Sequence, residues 1–254
     1  MNLDSRPNFF TPVFTRPVRG VAAGVSGRAG GVSTGLYASL NLGAAVGDEP
    51  EAVAENRRRA AAAGGFDLRA AVLGRQVHGG DVATVGRGDG GRGTGGGEGP
   101  VVDALATADD VALLVGVADC VPVFMAAADG RAVALAHAGW KGVLADVVPH
   151  ALAALRGLGV APEDVAAAVG PSIGPCCFAV GADVEARFAA RYPASALGGR
   201  VDLRAAIAAQ LRAAGVPGDL APPPCTACSG AAYFSHRAAG GRPAGRMWAF
   251  LRRA

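Results

Sequence analysis

The 254-residue chain predicts an α/β or three-layer α+β fold built around a central mixed sheet. Three observations carry that expectation. Short apolar runs of strand length recur through the middle of the chain, stretches with helix start and stop signals separate several of them, and a tight Asp129-Gly130 turn joins two of the strands directly.

The N-terminal third reads as short strands and turns, with Gly20, Gly24, Gly27, Gly30 and Gly31 as punctuation. Residues 33–43 (STGLYASLNLG) are polar, bounded by glycine and without helical period. The following GDEPEAVAENRRRAAAAGG has the form of a helix. Asp48 is placed to cap it, Pro50 and the acidic Glu49 and Glu51 suit its first turn, and Gly64-Gly65 stops it. A strand is expected at 70–73, leading into GRQVHGGDV. Residues 86–100 (GRGDGGRGTGGGEGP) hold nine glycines in fifteen positions and are expected to form a mobile surface loop with no means of packing.

The central block has the clearest pattern. Strands are expected at 111–117, 122–125 and 132–136, ending near Ala118-Asp119-Cys120 and His137-Ala138-Gly139-Trp140. A helix over 142–155 should follow despite an awkward Pro149, then a strand at 165–169 and helices at 182–191 and 203–214. The tail carries PPPCTACSG, an aromatic, strand-like YFSHR and a closing strand in GRMWAFL.

Composition narrows the function. Length and a 51% apolar content allow a substantial core in one domain spanning 1–254, without disulfides or metal as staples, and exclude a charged disordered chain. Alanine (57 residues) and glycine (39) together exceed a third of the chain, which weakens the contrast between helix and strand patterns. A net charge of +3, no basic run longer than Arg57-Arg58-Arg59, and 6% aromatics argue against nucleic-acid binding. The opening MNLDSRPNFF has no apolar core behind Asp4, so no cleaved leader is expected, and no apolar run is long enough to cross a bilayer. Five cysteines without an export signal point to thiols in the cytoplasm.

Three metal-capable residues stand just past strands: His78, Cys120 and His137. Two imidazoles and one thiolate make an accepted catalytic zinc set, and ligands at strand ends can converge over one sheet edge. Gln76, Asp103 and Asp119 are placed to orient a ligand imidazole. A second reading makes Cys120 an attacking thiolate, His137 its base and Asp119 the orienter, although neighbouring residues on extended backbone point to opposite sides. A third leaves the thiol and the imidazoles as separate buried or turn residues. Gly139 and Gly142 flank Trp140-Lys141 at a strand-to-helix turn that allows close approach by an anion. Cys176-Cys177 and the Cys225–Cys228 pair admit a four-cysteine zinc. Adjacent cysteines are awkward chelators, however, and a redox pair would normally open a helix, so two buried turns are expected. Arg237, Arg242 and Arg246 are within reach of an anionic group from the tail.

SLNLG (39–43), GDEPEAVAENR (47–57), RQVHG (75–79), VDALAT (102–107), ADCVPV (118–123), AHAGWKG (136–142), GPSIGPCCFAVG (170–181), CTAC (225–228), YFSHR (233–237) and Gly245-Arg246 follow one another along the chain. In that order they resemble the polyphenol-oxidoreductase-type laccase-domain family, associated with bacterial purine nucleoside phosphorylase and adenosine deaminase activity and with a peptidoglycan editing factor. The resemblance implies a single-domain, three-layer α/β/α sandwich and one metal on His78, Cys120 and His137, zinc or alternatively copper. It also implies a phosphate or substrate contact at Arg57 near Asn41. Ala45 stands where the family often has His, and Phe178 where it often has Tyr.

The expected function is therefore metal-dependent phosphorolysis of adenosine, inosine and methylthioadenosine, with purine nucleoside and inorganic phosphate as partners and adenosine deamination as a second activity. Arg57, Asp119, Cys120 and His137 are the expected catalytic residues. Asn41, Arg57, Gln76, Trp140 and Arg237 are the expected substrate contacts. The chain is expected to be a monomer or weak homo-oligomer. The rivals are an amidase that edits peptidoglycan precursors and a non-enzymatic metal-binding protein. Four histidines in the whole chain are too few for the ligand set of a multicopper laccase.

Overall fold

A computed structural model describes residues 6–254; the opening residues used for the leader expectation lie partly outside that range. The fold is α+β with mixed sheets and helices on both outer faces. Its central β layer is double, because the strands divide between two five-stranded sheets packed face to face.

The first sheet orders β1 (Phe9–Phe10), β2 (Val21–Ser26), β10 (Met247–Arg253), β6 (Ala112–Val117) and β3 (Ala71–Leu73). The second orders β4 (Val82–Thr84), β5 (Ala104–Thr107), β8 (Val133–Ala138), β7 (Val121–Ala127) and β9 (Val165–Val169). Parallel pairs β3–β6 and β4–β5 make each sheet mixed.

Side-chain alternation explains the layering. In β6 and β10, Leu113, Val115, Val117, Met247, Ala249 and Leu251 turn inward against Phe124, Val133 and Leu135 of the second sheet. The intervening Leu114, Trp248 and Phe250 face out toward α1 (Pro50–Gly64) with Leu40 and Leu42. The other face of the second sheet is largely alanine: Ala104, Ala106, Ala134, Ala136, Ala138 and Ala167. Small residues there let α3 (Val147–Gly157), α4 (Ala182–Arg191) and α5 (Leu203–Ala213) seat Leu152, Leu155, Phe188 and Ile207 close to the strands.

Several local expectations change. Asp48 does not cap α1, whose N-cap is Glu49; its carboxylate instead accepts from Ser33 Oγ at 2.6 Å and Asn41 Nδ2 at 2.8 Å. Gly65, at φ 69°, does end that helix, in the left-handed conformation glycine tolerates. The single helix expected over 142–155 is broken into α2 (Trp140–Leu144) and α3, with Asp146 at φ 60° between them. The break puts Pro149 in the first turn of α3, where its missing N–H has no intrahelical acceptor to lose. YFSHR is not a strand: Tyr233 is extended, and His236–Ala239 form the one-turn helix α6, whose N-cap Ser235 accepts from Ala238 N. The Gly-rich stretch packs through its backbone. Leu73 N donates to Arg92 O, and a Cβ at Gly93 or Gly99 would meet Leu73 O at 2.1 or 2.0 Å.

Candidate metal centre

His78, Cys120 and His137 come from three separate segments of the chain, yet their donor atoms lie within 4.8 Å of one another. His137 is the second-last residue of β8 and is 3% exposed; Cys120 immediately precedes β7, and His78 is exposed at the rim. The two imidazole rings are edge-on, with centroids 4.9 Å apart.

Two of the three described non-glycine residues with positive φ are at this site, His78 at 60° and Asp119 at 90°. Each such conformation costs roughly 1–3 kcal/mol and persists only when its surroundings enforce it. For His78 the enforcing group is Asp103. Its carboxylate accepts the backbone N–H groups of Val77 (3.0 Å), His78 (3.0 Å) and Gly79 (2.7 Å). It also takes the Nδ1 proton of His137 at 2.8 Å, which leaves Nε2 of that ring for a metal. Burial pushes the Asp103 carboxyl up, but the hydrogen bonds from His137, Gly79 and Val77 hold it below the usual carboxylate range.

For Asp119 the enforcing contacts come from the tail and from Ile173. Thr226 Oγ1 donates to Oδ1 at 2.6 Å, Arg237 N donates to Oδ2 at 2.7 Å, and the Asp119 carbonyl accepts from Ile173 N at 2.8 Å. Asp119 and Cys120 therefore point to different partners, and the carboxylate that orients His137 is Asp103. A Cβ at Gly139 would lie 2.9 Å from Cys120 Sγ and 3.2 Å from His78 Cδ2, so glycine there leaves room for the donors to converge.

Burial works against charge on both Cys120 and His137. The imidazoles of His137 and His78 nevertheless bring the Cys120 thiol down to about 6, and the Cys120 thiolate with Asp103 lifts His137 to about 9. Both shifts favour a thiolate–imidazolium pair in the absence of metal. One soft and two borderline nitrogen donors, with no fourth His, Cys, Asp or Glu in the described cluster, fit a zinc-type ion that keeps an open position.

The expected substrate residues are placed differently from one another. Asn41 is fully buried; its Oδ1 accepts from Gly43 N and Arg246 N, and its Nδ2 donates to Asp48 and Gly43 O. Gln76 is committed to β6, accepting from Gly116 N at 2.7 Å and donating to Gly116 O at 2.8 Å, which ties the His78 turn to the first sheet. Arg57 donates through Nε to Leu42 O at 3.0 Å and lies 5.0 Å over the Trp248 ring. Trp248 pairs with Gly116, so Arg57 lies next to the strand that holds Gln76. Trp140 opens α2 with Lys141 and Arg187 over its ring. Arg237 is exposed and donates to Cys177 O (3.0 Å) and Ala179 O (2.9 Å). His150 and His236 are outside the cluster. A 180 Å³ hollow bordered by Arg28, Tyr233 and Arg242 contains none of the three donors.

The remaining cysteines depart from the expectation of two buried turns. Cys176 and Cys228 are exposed, and the sulfurs of Cys176, Cys177, Cys225 and Cys228 come within 4.8 Å of one another. Thr226 was not singled out in the sequence. Its position between the two cysteines of CTAC was the only signal, and its partner Asp119 is 107 positions away.

A three-donor His/His/Cys cluster on a double-sheet α+β scaffold defines the class: an α+β protein with a candidate metal site at the ends of its strands. The family described as multi-copper polyphenol oxidoreductase laccase matches residues 22–254, and the chain belongs to that family. Similar proteins include purine nucleoside phosphorylase YlmD of Geobacillus stearothermophilus, 39% identical over 93% of this chain and 92% of that one. Purine nucleoside phosphorylase SCO2081 of Streptomyces coelicolor is 42% identical over 91% and 96%. The crystal structure of the Geobacillus YlmD superposes with a TM-score of 0.87 over 93% of each chain, and that of Bacillus licheniformis YfiH with 0.87 at 28% identity over 100% of this chain and 98% of that one. The multicopper part of the family description meets a chain with four histidines, two of them in the cluster.

Proposed function

We propose that this chain is a metal-dependent purine nucleoside phosphorylase acting on adenosine, inosine and methylthioadenosine, with hydrolytic removal of the adenosine C6 amino group as a second activity. The observation that carries the reading is the preorganised His78–Cys120–His137 cluster, buried at His137 and open to solvent at His78. Relatives named purine nucleoside phosphorylase, aligned over nine-tenths of the chain, support the substrate class.

In phosphorolysis a phosphate oxygen forms a bond to ribose C1′ as the C1′–N9 bond breaks, and the purine leaves with the electron pair and takes up a proton. His78, Cys120 and His137 hold the cation, zinc by donor type with copper as the alternative, and when bound it supplies Lewis acidity toward developing negative charge. Arg57 binds the phosphate. Only its Nε has a partner among the described residues, so the terminal guanidinium nitrogens are available for a bidentate contact. Trp140 offers a ring face for the purine. Asn41, Gln76, Asp119 and Arg237 act by position: the first two hold the backbone around Gly43 and Gly116, and the last two hold the turn that presents Cys120. An odd number of cysteines, five, accords with a cytoplasmic enzyme; no described helix is long and apolar enough to cross a membrane.

The test is conversion of adenosine by purified, zinc-loaded protein with and without phosphate, following adenine, inosine and hypoxanthine separately, with His78→Ala and Cys120→Ala alongside. Adenine formed only with phosphate and lost in both variants is expected, together with phosphate-independent inosine. A folded, metal-loaded sample that turns over none of adenosine, inosine and methylthioadenosine overturns the reading.

A further inference from the structure

Two segments remote in sequence, 170–178 and 223–229, run side by side through a parallel bridge between Ser172 and Cys225. They bring four sulfurs together: Cys228 Sγ stands 3.5 Å from Cys176 Sγ and 3.1 Å from Cys177 Sγ, and all four sulfurs are within 4.8 Å of one another. In a tetrahedral zinc tetrathiolate with bonds of about 2.3 Å the sulfurs are about 3.8 Å apart, so side-chain shifts of about 1 Å or less reach that geometry.

The backbone accounts for how neighbouring cysteines converge. Cys177 N and Phe178 N both donate to Gly174 O at 3.0 Å, forming a helix-like turn. Successive side chains on such a turn diverge by about 100°, so Cys176 and Cys177 flank the sulfur of Cys228 from two sides. Ser229 N donates to Cys225 O at 3.0 Å, closing a second turn that puts Cys225 and Cys228 on one side. Gly174 N donates to Cys225 Sγ at 3.2 Å, a bond that favours thiolate. A Cβ on Gly174 would lie 3.3 Å from Cys176 Sγ and 3.4 Å from Cys225 Cβ, so this glycine also makes room for the convergence. Arg204 reaches the same two segments, donating to Ser172 O, Pro223 O and Pro224 O, and brings positive charge beside the sulfurs.

We propose that Cys176, Cys177, Cys225 and Cys228 form a second metal site, closed by four thiolates and taking zinc, that fastens the 170–178 and 223–229 segments to the turn presenting Cys120. The link to that turn is direct. Thr226 lies between two of the four cysteines and donates to Asp119, and Arg237 joins the Cys177 carbonyl to the same carboxylate. None of the four belongs to the His78–Cys120–His137 set. Binding releases the protons still on the thiols and moves no electrons.

The test uses the full chain, stripped of metal under reducing, oxygen-free conditions and titrated with cobalt(II) and then zinc. Two equivalents per chain are expected. A His78→Ala/His137→Ala protein should keep one, with the thiolate-to-cobalt charge-transfer and intense visible bands of tetrahedral sulfur coordination. Cys225→Ser/Cys228→Ser should also keep one, without the sulfur-only spectrum. A wild-type stoichiometry of one that falls to zero in the double histidine variant overturns the proposal. So does loss of two hydrogens by mass in the oxygen-free protein, which marks a disulfide. If the cysteine variant does not fold, the wild-type and histidine-variant titrations, which leave all four thiols intact, decide the matter.

Discussion

Asp103 Oδ1 accepts both the Nδ1 proton of His137, at 2.8 Å, and the backbone N–H of His78, at 3.0 Å, so one buried carboxylate sets two of the three donors. Asp103→Asn keeps the shape but cannot accept equally from all four donors. It should weaken zinc binding by about 10–100-fold and lower stability by on the order of 1–3 kcal/mol. Competition with a chromophoric chelator and a denaturant melt of the metal-free protein measure the two effects.

Gly139→Ala separates metal binding from folding. The backbone at Gly139 has φ −75°, which alanine adopts without strain, but the new methyl would press on Cys120 Sγ and His78 Cδ2. Metal affinity should fall at least 10-fold while the metal-free melting temperature moves little. Unchanged affinity would show that the donors do not need this gap.

Thr226→Val removes the hydroxyl that donates to Asp119 at 2.6 Å and leaves the volume nearly unchanged. A buried carboxylate left short of a donor costs about 1–3 kcal/mol. The Cys120 turn should loosen with it, seen as faster reaction of Cys120 with a thiol reagent in the metal-free protein.

Folding lowers the Cys120 thiol from 9.0 to about 6, so the stabilisation it brings is present above the ordinary value and is lost as pH falls through about 6. It raises His137 from 6.5 to about 9, so that contribution is present below the ordinary value and is lost as pH rises through about 9. Between about pH 6.5 and 9 the thiol contribution grows as the imidazole contribution fades, so the metal-free protein should melt at a nearly constant temperature across that range, and Cys120→Ser should remove the compensation and tilt the profile. Zinc affinity should drop below about pH 6, where protons compete for the sulfur.

Arg57→Ala should raise the KM for phosphate by 10-fold or more with a smaller effect on nucleoside KM, since its free guanidinium nitrogens are assigned to the anion. Part of the loss will be packing over Trp248. Arg57→Lys, which retains charge without the fork, distinguishes bidentate binding from simple attraction.

Apolar alternation and punctuation by glycine and proline were enough to place β6 to β9, α1, α4 and α5, because those elements follow from local periodicity. The candidate donor set was legible for a related reason: in a chain with four histidines, two of them and a cysteine stand near the ends of expected strands, although His137 falls inside β8 and not beyond it. Other features required contacts between distant residues. Division of the strands between two sheets depends on β10 inserting between β2 and β6, a pairing across more than a hundred residues. Asp103 rather than Asp119 orients His137 because β5 pairs with β8, bringing a carboxylate 34 positions away to the imidazole. The convergence of Cys176 and Cys177 with CTAC arises where two loops bridge at Ser172 and Cys225, which no local pattern announces. Sequence by itself determined which residue types and backbone periods were available; tertiary structure decided which of them meet, because a hydrogen bond or a ligand set is a relation between distant residues in space.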